Sequence, residues 1–90
     1  MPESLLKFPS GKIILPLVVH SSADVGQIVR EQRHVLSLRQ IDLAGIGNTG
    51  NRLIVDIEKG KPTVQLQKVL DVLDLLGLEL IVRQKTSRSL

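Results

Sequence analysis

The stretch Gln40–Lys61, QIDLAGIGNTGNRLIVDIEKGK, constrains this chain more than any other part of it. Gln40-Ile41-Asp42-Leu43-Ala44 has the apolar spacing of a short helix. Gly45-Ile46-Gly47-Asn48-Thr49-Gly50 then reads as a tight turn, and Asn48 is one of the few non-glycine residues that tolerates a left-handed backbone. A second helix is expected from Asn51 to Lys59, stopping at Gly60, a usual helix-ending residue. Its buried side would be Leu53, Ile54 and Ile57, which leaves Asn51, Arg52, Val55, Asp56 and Lys59 on or near the outside. Two helices joined by a tight glycine-containing turn make a helix-turn-helix, an arrangement whose second helix can enter the major groove of DNA.

Ninety residues allow one domain at most, with a modest core. Hydrophobic residues make up 42% of the chain, yet Phe8 is its one aromatic. The core must therefore come from Leu, Ile and Val, which suits packed helices. An aromatic stacking platform for single-stranded nucleic acid, or an enzyme pocket, does not fit this composition. No cysteine is present, so disulfides, thiolate catalysis and Cys-based zinc sites are excluded. His20 and His34 have no metal-ligand spacing and no acidic cluster beside them, so no metal or cofactor is expected. No Ser-His-Asp set or phosphate-cradling loop stands out; Gly45-x-Gly47 is turn chemistry. A net charge of +3 is compatible with a polyanionic partner. No apolar run approaches the roughly 18 residues that span a bilayer. Ile13–Val19 is short and interrupted by Pro16, unlike a signal peptide, and a soluble cytoplasmic protein is the expectation.

Residues 1–11, rich in Pro, Ser and Gly, read as a loop or arm, and Lys12–His20 as a short β-branched strand broken or kept at an edge by Pro16. Ser22 is the expected N-cap of the first helix, with Asp24 in its first turn. Val25, Ile28, Val29 and Gln32 form its stripe, closed by Val35 and Leu36. The last helix is expected from Val64 to Leu76, capped by Thr63 and ended by Gly77. Its apolar face is wide, and Val72 and Leu75 have no clear use in a small monomer core, which points to a subunit interface. Leu78–Arg83 alternates partly, like a strand that needs a partner in residues 12–19 or in a second chain. The organisation expected is an N-terminal arm with a short strand at 1–21, a helix-turn-helix domain at 22–77, and a dimerisation strand with a tail at 78–90. The fold class is all-α, four to five helices with short N- and C-terminal β-strands.

With Arg33 ahead of them, Leu38-Arg39-Gln40-Ile41-Asp42-Leu43-Ala44 and Ile54-Val55-Asp56-Ile57-Glu58-Lys59-Gly60 carry a recognisable pattern. It is an arginine on helix one, then Leu-x-Gln-x-x-Leu-Ala, then Ile-x-x-(Leu, Ile or Trp)-Glu-x-Gly. In this the chain resembles the Xre family of phage-repressor and Cro-like helix-turn-helix regulators. Lys61-Pro62-Thr63-Val64 with Leu70–Leu80 resembles, more narrowly, the HipB-type antitoxins. The resemblance covers about residues 22–83. Arg39 departs from it where Ser or Thr usually caps the second helix, and Asn48 replaces the usual turn glycine.

The resemblance implies a buried structural pair, Arg33 with Glu58, and a phosphate contact at Gln40. It also implies a homodimer on a palindromic operator of double-stranded DNA, and in HipB-type members a HipA-like serine/threonine kinase toxin as partner. The function so implied is a repressor that is the antitoxin of such a module and represses its own operon; a solitary Xre-type regulator is the alternative, and a protein-binding module without DNA contact a third class. On the outer face of the second helix, Arg52 suits guanine O6/N7, Asn51 an adenine edge and Val55 a thymine methyl. Asp56 suits a cytosine amine or a hold on Arg52 one turn away. Lys59 and Lys61 suit phosphates. The dimer contacts expected are Val72, Leu75, Leu78, Leu80 and Val82.

Overall fold

The structure, a computed structural model, describes residues 15–85. Four helices follow one another among these residues: α1 (Ser22–Val35), α2 (Gln40–Ile46), α3 (Asn51–Glu58) and α4 (Leu66–Leu75). The all-α helix-turn-helix fold is thus the one the sequence pattern implies. α3 packs against both α1 and α2 and is the centre of the domain. The core takes residues from every helix: Val29 from α1, Leu43 and Ala44 from α2, Ile54 and Ile57 from α3, Val72 and Leu73 from α4, with Leu76 just beyond it. Each of the Val, Leu and Ile side chains contributes about 1.5–3 kcal/mol when fully buried.

Local chemistry sets the helix ends. α1 is capped by Ser21, one residue earlier than expected: Ser21 is extended, and its Oγ accepts from the Asp24 backbone N–H at 3.2 Å, so Ser22 is already helical. Arg39 cannot accept a hydrogen bond at the start of α2. Asp42, three residues on, makes the other half of a capping box, accepting from the Arg39 backbone N–H at 2.8 Å. The Arg39 guanidinium donates to the same carboxylate from Nε and Nη2, at 3.1 and 2.9 Å. These bonds, the side-chain one foremost, hold the Asp42 carboxyl below its usual range and push the Arg39 guanidinium up. Asn48 is left-handed, φ 53°, and so is Ser37, φ 59°.

α4 begins later than its pattern predicts. Residues 62–64 turn, Gln65 holds the N-cap position, and Thr63 therefore lies outside the helix. Val35 and Leu36 do not close the α1 stripe; both are exposed at its end, where Arg33 is the last buried residue. Residues 78–85 carry no helix and no ladder; a strand needs a neighbouring edge, and none pairs with them among the described residues. Of the expected strand at 12–20, residues 12–14 lie outside the described residues, and 15–20 form no ladder. Among the described residues no helix is long and apolar enough to cross a membrane.

Val72 requires a correction of a different kind. It is 2% exposed and belongs to the core of its own chain, so it is not free to meet a second subunit. Part of the wide apolar face of α4 is thus used within the chain, where Val72, Leu73 and, just beyond the helix, Leu76 join the core. Leu75 is 39% exposed, and Leu80 and Val82 are exposed as well.

Candidate nucleic-acid interface

α3 is held from behind by a buried ionic network. Arg33 on α1 donates to Glu58 on α3 through Nε (2.7 Å) and Nη2 (3.0 Å), and through Nη1 to the Leu38 carbonyl (2.8 Å). The two side chains are 9% and 6% exposed. Gln40, first residue of α2, donates from Nε2 to Glu58 Oε1 at 3.1 Å. One carboxylate therefore ties α1, α2 and the loop between them to the last residue of α3. A bidentate Arg–carboxylate pair is the geometrically specific way to do this. It leaves no buried side-chain nitrogen or oxygen without a partner among the described residues.

Two glycines let the helices come close enough. Gly26 is buried in α1, and a methyl group there would meet the backbone oxygens of Ile57 and Glu58, the second at 2.8 Å. Gly60 ends α3 with φ +77°, and a methyl group on it would sit 2.7 Å from Ala23 Cα. The end of α3 is thus pressed onto the start of α1 at both places.

The opposite face of α3 is open. Asn51 and Arg52 are exposed, Val55 and Asp56 half-buried, Lys59 and Lys61 exposed. Arg52 Nε donates to Asp56 Oδ1 at 3.0 Å, and Lys61 Nζ lies 3.7 Å from Asp56 Oδ2. The expected base-reading residues Asn51, Arg52, Val55 and Asp56 thus share one helix. Of the residues expected at phosphate, Gln40 and Lys59 line one cleft of about 240 Å³ with Arg30, Arg33, Val55 and Glu58. Lys61 stands apart from it, beyond the end of α3 and beside Asp56.

Arg30 is a residue the sequence reading did not single out. It is exposed, and with Lys59 it places two cations on one cleft beside Gln40. The signal for it was its spacing, three residues before the buried Arg33 and so on the same side of α1. No group of three metal-ligating side chains occurs among the described residues. What the arrangement can do chemically is bind: it offers a rigid helix with donors, an acceptor and a methyl-bearing side chain outward, and cations at its flank.

Comparison with known proteins follows the same line. No family model matches the chain. An uncharacterized HTH-type transcriptional regulator, y4mF, of Sinorhizobium fredii (strain NBRC 101917 / NGR234) is 51% identical over 59 residues, which are 66% of this chain and 78% of that one. Two solved structures, a single-residue variant of HipB in complex with an O2 20mer and the HipB–O4 20mer complex, each superpose with a TM-score of 0.71 at 16% identity. They cover 77% of this chain and 96% and 97% of theirs, and so share its fold. With the Arg33–Glu58 frame, the turn at Asn48 and this relative together, the chain belongs to the Xre/Cro-like helix-turn-helix transcriptional regulators.

Proposed function

We propose that the chain is a sequence-specific repressor that binds a palindromic operator as a homodimer, one α3 in each of two major grooves about a helical turn apart. The observation that carries this is the outer face of α3. Asn51, Arg52, Val55 and Asp56 stand together on a helix whose back is locked by Arg33 and Glu58, while Gln40, Lys59 and Lys61 flank it for phosphates. Base edges give sequence and phosphates give position, and the two sets divide along that line. The dimer contacts are Leu75, Leu78, Leu80 and Val82. Leu75, Leu80 and Val82 are exposed, Val82 at 91%, while Leu78 is half-buried against the core and anchors the segment that carries them. The DNA-binding domain is 22–77, and 78–90 supply the dimerisation segment and a tail. Acting on DNA, the protein works in the cytoplasm.

The finer part of the reading is that this repressor is the antitoxin of a HipBA-like module, neutralising a kinase-like toxin and repressing its own operon. The likeness of the fold to HipB and the sequence after α3 support it. A solitary regulator is the second reading, favoured by the relative described only as a transcriptional regulator. Co-expression with the neighbouring gene separates them: a kinase-like protein that co-purifies and loses its toxicity supports the antitoxin, and a neighbour that never co-purifies refutes it.

The DNA reading is tested by titrating Arg52→Ala and Lys61→Ala on operator and scrambled duplexes at several salt concentrations. Arg52→Ala should cost about 1–3 kcal/mol on the operator and relax one base pair per half-site. Lys61→Ala should weaken all sequences alike and lower the salt slope by about one. Equal losses on both duplexes for Arg52→Ala would mean that α3 is not the reading helix. For the dimer, replacing Leu75 and Leu80 with charged residues should weaken self-association in sedimentation; an unchanged constant refutes that interface.

A further inference from the structure

Asp56 takes a cation on each of its oxygens. Oδ1 accepts from Arg52 Nε at 3.0 Å, and Oδ2 faces Lys61 Nζ at 3.7 Å. The carboxylate side chain is 17% exposed and the arginine side chain 82%. The acid is thus set into the helix surface while the guanidinium reaches out from it. A guanidinium has one N–H on Nε and two on each terminal nitrogen. With Nε engaged, the terminal nitrogens of Arg52 have no hydrogen-bond partner among the described residues. Their outer edge is a two-pronged donor of the kind that fits guanine O6 and N7 together.

We propose that Asp56 is a positioning residue for base reading and not itself a base reader. By holding Arg52 through Nε it turns the terminal edge of the guanidinium toward the groove. The same bond keeps the Arg52 cation from settling on phosphates of any sequence, while Lys61, at 3.7 Å and half exposed, stays able to reach one. Asp56 then sets the specificity of the face while adding nothing to its affinity for DNA in general. This rests on the DNA reading of α3 proposed above. An ion pair that merely steadied the helix would leave sequence preference untouched, and that difference is measurable.

The experiment uses the full chain and a duplex enriched from a random library by the wild-type protein, with a scrambled duplex as reference. Affinities for both are measured at several salt concentrations, and thermal melts confirm that each variant is folded. Asp56→Asn should lower the ratio of selected to scrambled affinity by about tenfold. Its affinity for the scrambled duplex should rise, and its salt slope should steepen by about one as the freed guanidinium finds a phosphate. Arg52→Lys, which lacks the two-pronged edge, should lose the same preference, and combining the two changes should lower the ratio no further than either alone. Asp56→Glu serves as the second variant: it keeps the charge, hence the salt slope, but displaces the carboxylate by one methylene and loses part of the ratio. An unchanged ratio in folded Asp56→Asn, or single losses that multiply in the double variant, overturns the proposal while leaving the DNA reading intact. A wild-type protein that enriches no sequence at all overturns both.

Discussion

α3 carries two ion pairs of the same chemistry on opposite faces. Behind it, Arg33–Glu58 is shut away from solvent; in front, Arg52–Asp56 extends into it. Burial makes the first pair a commitment. Separating its members strands a charge in a poor solvent, so the pair fixes where α3 sits relative to α1 and α2. The second pair competes with water at every moment and is worth little to the fold. It is therefore the one that can aim a side chain without holding the fold. A helix that must present side chains to a ligand needs both kinds, one that fixes the helix and one that orients what the helix carries.

The contrast can be broken from the back first. Glu58→Ala leaves the Arg33 guanidinium buried with only the Leu38 carbonyl for a partner and releases the amide of Gln40. It should cost about 3–5 kcal/mol, read as a fall in denaturation midpoint at constant slope. Arg52→Ala, treated the same way, should change stability by no more than about 0.5 kcal/mol. Comparable losses in the two variants would mean that burial is not what separates the pairs. Gly26→Ala is the next largest effect, about 1–3 kcal/mol. The added methyl group meets backbone carbonyls of α3, which cannot swing aside as a side chain can, so α1 and α3 must part. Because that moves the whole reading face, DNA affinity should fall with stability. A variant as stable as the wild type would show that the two helices are not held at this distance.

Much of this was legible in the sequence because it depends on local rules. The turn at Asn48 and the stop at Gly60 need left-handed backbones, and these residue types supply them. The core faces of α2 and α3 follow from spacing alone. What was not legible depends on neighbours distant in the chain. Periodicity gave α4 an apolar face but not how much of it the rest of the chain covers, so Val72 read as surplus when it is core. Gly26 inside a helix reads only as a weak helix former until α3 is laid across it. The bond from Gln40 to Glu58 spans 18 residues, and no pattern announces it. Ser37 is left-handed although serine does not favour it, and its place between α1 and α2 gives the sequence reader no cue. Residues 78–83 alternate as a strand would, but alternation describes two faces and does not supply an edge to pair with.

The smallest expected effect lies at the start of α2, where an exposed ion pair does have a local structural task. Asp42 accepts the Arg39 backbone N–H, while the arginine side chain, having no acceptor, caps no N–H of the first turn. The Arg39 guanidinium, by its hydrogen bonds first and the backbone N–H second, holds the Asp42 carboxyl below its ordinary range in the folded protein. A group whose pKa is lowered on folding stabilises the fold above its unfolded pKa, and the contribution fades as pH falls through the folded value. Asp42→Ala should therefore lower the melting temperature by a constant, small amount from neutral pH down to about pH 5. The gap to the wild type should begin to narrow below about pH 4, the ordinary carboxyl value, and close only as pH falls through the lower folded value, below which the acid is protonated in both states. The difference between the two proteins isolates Asp42, because every other carboxylate titrates alike in both. A gap that persists unchanged at about pH 2–3 would assign the loss to helix propensity or packing. The carboxylate would then be an exposed charge with no more hold on the fold than the pair on the front of α3.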